Sequence, residues 1–593
     1  MEQTRNAYLI RRAMGNFLFA SVVTMLINQL TTTVDGVIVG HLVCPDALSA
    51  ITLFIPVSLV ITAMNTFVGI GATILAAKAM GKRDKAAVSG ILSTALACVL
   101  IVGVCFAVLG FLFSDTVTSW LTTDPHLAPQ LKPYLVVMLG FAIMPMLSQF
   151  VNQCISVDGH PIKVTQAVVL VFFTNTVLDL LLVGVFGMGI QGSAIATICS
   201  YAVSILYLIR HLFNRQSDIK FRKPAFSKWL LPNLAQGSPM LISNVVLMLM
   251  FYAINTIVQN RLGHDGMFVM SICMNVLMIG MMLSNGFGQT ILSLGGFLYG
   301  QLDFTGTSML VKRCLYYIVG ITLAFMAFVI LFPGVLTQLF GANTPELLAL
   351  ANTGVRIFII CLTPVCLTFM MANLLQMEGR IALSPVIILL IPIVLLSLLS
   401  LFADSPNDTF IWYAFPVSGA VVLTAVFIIT EIVRFKSRPQ SLVPILLLQK
   451  DNGNLLYEVS LKNDIQSFHE ALSSIHDFIK PIELAPKLRY HIEACTEELL
   501  LNTIQHSGIA GNGHFTDMRL IQADDKISFS LKYEGKAFNP LTLAEETKKI
   551  GMKIVTSYCY DMDYKYMYGQ NMLFLSWATT TLPSDDPNLT ENN

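Results

Sequence analysis

The chain has 593 residues, 55% of them hydrophobic and only 12% charged, with a mean hydropathy of +0.69 and a formal net charge of zero. Soluble domains average about 25% charged residues, so this composition excludes a wholly water-soluble protein and places most of the chain in lipid. The zero is a sum of unlike parts: residues 1–440 carry 23 Lys/Arg against 16 Asp/Glu, and residues 441–593 carry 13 against 20, an acidic balance that argues against nucleic acid as a partner.

Apolar windows separated by turn signals predict spans near 16–39, 50–77, 88–113, 134–155, 165–186 and 192–213. A second set follows near 234–260, 267–294, 312–333, 351–377, 384–402 and 410–433. The first run is too long for a cleavable signal peptide. Basic residues fall on alternate loops, among them Arg11, Arg12, Lys82, Arg83, Lys163 and Lys228. By the positive-inside rule both termini then face the cytoplasm of a cell, or inner, membrane. Eleven cysteines lie mostly in apolar stretches without CxxC spacing and predict neither disulfides nor a zinc site. Two spans carry a carboxylate, Asp35 and Asp179, each costing about 2.5–3.5 kcal/mol by insertion scales. Buried acids at that cost suggest a cation or proton pathway, the plainer alternative being acids satisfied by neighbouring helices.

The two sets of six spans are related. Gly81-Lys-Arg-Asp84 recurs as Gly300-Gln-Leu-Asp303 at an offset of 219, and Val157-Asp-Gly-His160 recurs as Met377-Glu-Gly-Arg380 at 220. Both motifs follow even-numbered spans. An even-numbered unit repeats with parallel topology, which predicts two lobes about a central cavity. At the same offsets the second half has Ile254 and Leu399 where the first has Asp35 and Asp179, so any ion site belongs to the N-terminal lobe.

Thr33-Val-Asp35-Gly-Val-Ile-Val-Gly40, Ala47-Leu-Ser-Ala50, Asn175-Thr-Val-Leu-Asp179 and Gly192-Ser-Ala-Ile-Ala-Thr197, in this order on twelve spans, resemble the multidrug and toxic compound extrusion (MATE) transporters over residues 1–440. The resemblance implies an all-α membrane domain of two six-helix lobes, 1–220 and 221–440. It also implies an N-lobe cation site from Asp35, Asn175 and Asp179, with Thr197 and Tyr134 nearby. Independently, Asn175 and Asp179 are spaced i,i+4 and share a helix face. Such oxygens can bind Na⁺, or share a proton where desolvation disfavours the charged carboxylate. Some family members carry a seventh-helix Glu for a C-lobe Na⁺ site; counting from Pro239, this chain has Leu247, which favours protons over Na⁺ as coupling ion. Methionines crowd spans seven and eight (Met248, Met250, Met270, Met274, Met278, Met281, Met282), a composition suited to an adaptable cavity but more often one of ordinary packing.

Beyond Pro439 and Pro444 the periodicity is that of a soluble α/β domain, 441–582, before a polar tail, 583–593, expected to be disordered. Strands are predicted at Leu455–Leu461, Ser528–Tyr533 and Met572–Trp577, and helices at Ile465–Phe478 and Lys487–His506. Glu498-Leu-Leu-Leu-Asn502, Glu534-Gly535-Lys-Ala-Phe538 and Ile550-Gly551-Met-Lys-Ile-Val555 resemble the histidine-kinase-like ATPase fold, an α/β sandwich, in its anti-sigma-factor kinase branch. That resemblance implies Glu498 as catalytic base, Asn502 as Mg²⁺ ligand, and Glu534, Gly535 and Gly551 at ATP. Glu534 stands where the family has Asp, and Lys549 where it has the first phosphate-turn glycine.

The combined expectation is a proton- or Na⁺-coupled antiporter exporting organic compounds across the bilayer. Its cytoplasmic domain would regulate transport or contact a regulatory protein. An ATP-driven pump is disfavoured by the absence of GxxxxGK[ST]. A lipid or polysaccharide-precursor flippase, which basic residues in the cavity would favour, and a membrane sensor kinase are the alternatives.

Overall fold

A computed structural model of the chain describes residues 6–43, 45–122, 127–213, 217, 219–339, 344–403, 409–437, 455–480, 484–506, 514–523, 526–540, 555 and 557–578. The chain divides into two compact units, Phe17–Gln449 and a second made of Met1–Asn16 with Lys450–Asn593.

Among the described residues the larger unit has helices as its only regular elements. Its first half contains most of α1 (Tyr8–Leu42), then α2 (Pro45–Gly81), α3 (Lys85–Leu112), the short α4 (Ser114–Leu121), α5 (Ala128–Gly140) and α6 (Ile143–Val157). It closes with α7 (Pro161–Asp179), a π-helical stretch at Leu180–Val185, and α8 (Gly189–Leu212). The second half comprises α9 (Phe226–Thr290), a π-helical turn at Ile291–Gly295, α10 (Gly296–Gly300), α11 (Phe304–Leu331), α12 (Pro333–Leu339), α13 (Pro345–Phe358), α14 (Leu362–Met377), α15 (Leu383–Ala403) and α16 (Phe410–Ser437). Gly263, at φ 62° and ψ −149°, breaks α9 into two spans, a backbone state open to glycine at little steric cost. Among the described residues eleven helices are long and apolar enough to cross a membrane, or twelve if α5 and α6, bent by 44° between them, make one span.

The repeat seen in the sequence is a repeat of local structure. Asp84 caps α3 by accepting from the Ala87 N–H at 2.8 Å, and Asp303 caps α11 by accepting from Gly306 at the same distance. The preceding residues, Arg83 and Leu302, both take positive φ, at 61° and 57°. In the other motif Gly159 and Gly379 lie at 84° and 86°. The duplicated glycines Gly81 and Gly300 also meet each other: a Cβ on Gly81 would stand 2.9 Å from Gly300 Cα, and one on Gly300 would stand 2.2 Å from the Lys78 carbonyl oxygen. The two halves thus touch backbone to backbone at the repeated turn, an approach that only glycine permits.

The smaller unit is built on one antiparallel sheet. Its elements are β1 (Leu455–Lys462), α17 (Ile465–Ile479), α18 (Pro486–His506), β2 (Phe515–Ala523), β3 (Lys526–Tyr533), β4 (Asp561–Met567) and β5 (Gln570–Ala578), in sheet order β1-β2-β3-β5-β4. Alternation decides the faces: Ile527, Phe529, Leu531 and Tyr533 of β3 enter the core with Leu573, Leu575 and Trp577 of β5. There they meet Phe468, Ile475 and Ile479 of α17 and Ile492, Cys495 and Leu499 of α18. Asp464 caps α17 by accepting from the Ser467 N–H at 2.7 Å. Tyr568 and Gly569, both at positive φ, close the β4–β5 hairpin. Residues 8–16 of α1 belong to this unit, where Leu9 and Ala13 are buried and Gln570 donates to the Leu9 carbonyl at 2.6 Å.

Candidate functional site

The acids expected from the sequence come together. Asp35 on α1 accepts from the Ser193 hydroxyl of α8 at 2.9 Å. Asp179, at the last position of α7 and fully buried, lies against Asp35 and Ser193, yet neither of its carboxyl oxygens completes a hydrogen bond of good geometry. One turn earlier Asn175 is 2% exposed and donates to the Thr197 hydroxyl at 3.3 Å. Thr197 in turn donates to the Ser193 carbonyl at 3.0 Å. Tyr134 of α5 is buried within the electrostatic reach of Asp35 and Asp179 and packs edge-on against Phe54, ring centroids 5.4 Å apart. All five predicted residues therefore converge from α1, α5, α7 and α8.

Helix irregularity shapes this place. Thr31, Thr32 and Thr33 donate back to the carbonyls four residues earlier, a bonding pattern that bends helices, just before Asp35. The π-helical stretch begins at Leu180, directly after Asp179, so the α7 register changes at the acid. Sequence reasoning missed Ser193, although the signal was present: Ser193 and Thr197 are i,i+4 inside a motif already singled out. Tyr201, another residue within the field of Asp35, was also missed.

A cavity of about 880 Å³ opens in the same unit, within the range of small-molecule sites. Gln29 and Thr33 of α1 contribute to its wall, and the rest comes from α9 and α13–α16 with their connections. Met240, Met250, Met274, Met278, Met281 and Met282 line it, with Phe251, Phe358, Phe369 and Phe415 and the amides Asn244, Asn275, Asn285, Asn373 and Gln376. Leu247 is in the wall, and so is Ile254, the counterpart of Asp35. None of its described lining residues is charged. Gln236 and Gln376 each donate to the other's backbone carbonyl at 2.7 Å, tying α9 to α14 at the wall.

In the smaller unit Asn502 donates to the Glu498 carboxylate at 2.7 Å and to its carbonyl at 2.8 Å, so the two share one face of α18 as their spacing implies. Asn571 holds the turn after β3, accepting from the Phe538 N–H at 2.9 Å and donating to the Lys536 carbonyl at 3.1 Å. Gly535 in that turn has φ 117°. Glu534 is buried and already engaged: Arg12 Nε lies 3.0 Å from it and His514 Nδ1 2.7 Å. Gly551 and the tail 583–593 lie outside the described residues.

A model of the MatE family matches residues 20–181 and 239–401, once in each half. Among named proteins, "Probable multidrug resistance protein YoeA" of Bacillus subtilis is 24% identical over 227 residues, covering 37% of this chain and 49% of that protein. "FAD transporter" of Shewanella oneidensis is 27% identical over 223 residues, covering 35% and 48%. The chain thus spans about half the length of these relatives. A solved MOP superfamily transporter from Pyrococcus furiosus superposes with a TM-score of 0.65 at 21% identity, covering 72% of this chain and 97% of its own. A structure of an outward-facing multidrug resistance MATE family transporter gives the same values. At that identity the likeness is one of fold.

Proposed function

The chain belongs to the MatE family, and from that premise we propose that it is a secondary antiporter that moves an organic compound across the membrane in exchange for a cation, a proton rather than Na⁺. The observation that carries the reading is the pair Asp35 and Asp179, held face to face with Asn175, Ser193 and Thr197 in one half of a duplicated fold. Two carboxyls so placed can hold one positive charge between them, and losing it leaves two like charges in apolar surroundings. Gain and loss of that cation therefore favours different packings of α1 against α7 and α8, which is what coupling requires. α1 also carries Gln29 and Thr33 into the cavity wall, so a shift of this helix reaches the cargo space.

The cavity supports an amphipathic organic cargo. Methionine thioethers adapt to varied shapes, aromatic faces accept flat or cationic groups, and amides orient polar edges. A flippase for anionic lipid-linked precursors would draw on basic side chains in the wall, and the described lining has none. Leu247 favours a proton over a second Na⁺ site in the cavity. The smaller unit would act as a regulatory, nucleotide-binding-like domain, with Glu498 and Asn502 toward Mg²⁺ and ATP. Cation exchange itself needs no hydrolysis.

The test is uptake of a compound panel into proteoliposomes under imposed ΔpH or ΔNa⁺, with and without ATP. Asp35→Asn should abolish ion-linked transport while the protein inserts normally, and removal of residues from 441 onward should spare basal transport. Unchanged ΔpH-driven uptake by Asp35→Asn would refute the coupling role.

A further inference from the structure

The turn motif Val157-Asp-Gly-His160 is not used by the transport reading, and its side chains meet another chemistry-bearing group. Asp158 ends α6 fully buried, and its carboxylate lies 2.9 Å from Nε2 of His211, itself 5% exposed near the end of α8. Gly159, at φ 84°, turns the chain so that His160 faces back, its ring centroid 4.5 Å from that of His211. His160 Nδ1 donates to the Asp158 backbone carbonyl at 2.9 Å, which leaves the lone pair of this neutral ring on Nε2. Nε2 has no hydrogen-bond partner among the described residues. Lys163 Nζ lies 2.7 Å from His211 Nδ1.

We propose that Asp158, His160 and His211 form a divalent transition-metal site, with Zn²⁺ as the ion it fits best. One oxygen or nitrogen from each residue lies within 4.8 Å of the others. Donors around a tetrahedral Zn²⁺ with bonds near 2.0–2.1 Å stand roughly 3.4 Å apart, so binding draws the three groups together by about 1 Å. Two imidazoles and a carboxylate are ligands of the right softness, and the fourth position is left to water. The second-layer arrangement of a metal-binding imidazole is already present: His160 has its far N–H fixed on a backbone carbonyl, which sets tautomer and ring orientation.

Lys163 Nζ donates to His211 Nδ1 and so keeps the ring proton on Nε2, pointing at Asp158. An ion on Nε2 requires that proton on Nδ1 instead, with the Lys163 side chain turned away from the ring. The site would tie the α6–α7 turn to α8, clamping three helices of the first half. At the offset of 220 the second half carries Glu378, Arg380 and Glu431, with arginine and glutamate in place of the imidazoles, so the site belongs to one half only.

The experiment is equilibrium dialysis of the full chain in detergent, free of any polyhistidine tag, against micromolar free Zn²⁺ at neutral pH, with metal counted per protein. The expected result is one Zn²⁺ per chain. His160→Gln, in a half-exposed turn, should weaken binding more than about tenfold, and Lys163→Gln should tighten it by removing the competing charge. His211→Gln provides a second ligand deletion. Failure of the unsubstituted chain to bind one ion, or binding that survives both ligand substitutions unchanged, would overturn the assignment. Neither outcome bears on Asp35.

Discussion

Placing an alanine at Gly81 or at Gly300 probes the contact between the two halves with a single methyl group. A Cβ at Gly81 would stand 2.2 Å from the Phe297 carbonyl oxygen and 2.9 Å from Gly300 Cα. One at Gly300 would stand 2.2 Å from the Lys78 carbonyl oxygen and 3.0 Å from Lys78 Cα. The obstructing atoms are backbone, so no rotamer relieves the overlap. Restoring an ordinary contact near 3.5 Å requires α2 and α10 to separate by about 1 Å, and a gap of that size forfeits a quarter to a half of the neighbouring dispersion energy. Overpacking of this kind costs about 1–3 kcal/mol. Because the turns are repeats, Gly81→Ala and Gly300→Ala should cost the same, and the double substitution should cost less than their sum, since both open one gap. Thermal unfolding of the full chain in detergent reads this directly as matched drops in midpoint. Midpoints equal to that of the unsubstituted chain would refute the reasoning, and so would one costly and one neutral alanine.

Two further expectations concern the smaller unit. Glu458 and Arg519 are directly opposed on β1 and β2, both buried, with Arg519 Nε 2.7 Å from the carboxylate. Arg519→Met alone should destabilise the unit by about 3–5 kcal/mol by leaving a buried charge, whereas Arg519→Met with Glu458→Leu should recover most of the loss; hydrogen exchange of the β1–β2 amides measures both, and equal protection in single and double variants would contradict the account. His491 stacks on Tyr558 at 3.7 Å, and burial, aided by Lys487, holds its imidazole below the usual range. Below about pH 6.5 the unfolded chain takes up a proton that the folded one resists, so stability should fall as pH drops from about 7 to about 5. His491→Phe keeps a ring for the stack and should flatten that slope; an unchanged slope would assign it to another group.

Much of the plan was legible in the chain. Twelve apolar windows, the duplicated Gly-x-x-Asp turns and the i,i+4 pair of Asn175 and Asp179 are local signals. Hydropathy and helical spacing depend only on neighbouring residues; eleven of the apolar windows stand as helices long enough to span, while the window 134–155 is bent between α5 and α6. In the smaller unit β1, β3, β5, α17 and α18 were readable from alternation or helical period, but β2 and β4 were not. Asp517, Arg519 and Lys565 interrupt the apolar pattern of those strands, and their burial depends on partners such as Glu458 on another strand.

What the sequence determined by itself was therefore the inventory: spans, a repeat, two membrane acids confined to one half, and a distinct acidic domain. Only the tertiary structure decided the company each residue keeps. Ser193 reaching Asp35, His211 joining Asp158 and His160, and Arg12 meeting Glu534 all link distant parts of the chain. Such pairs are set by helix packing and by how buried polar atoms find partners, and neither is encoded in any short window of residues.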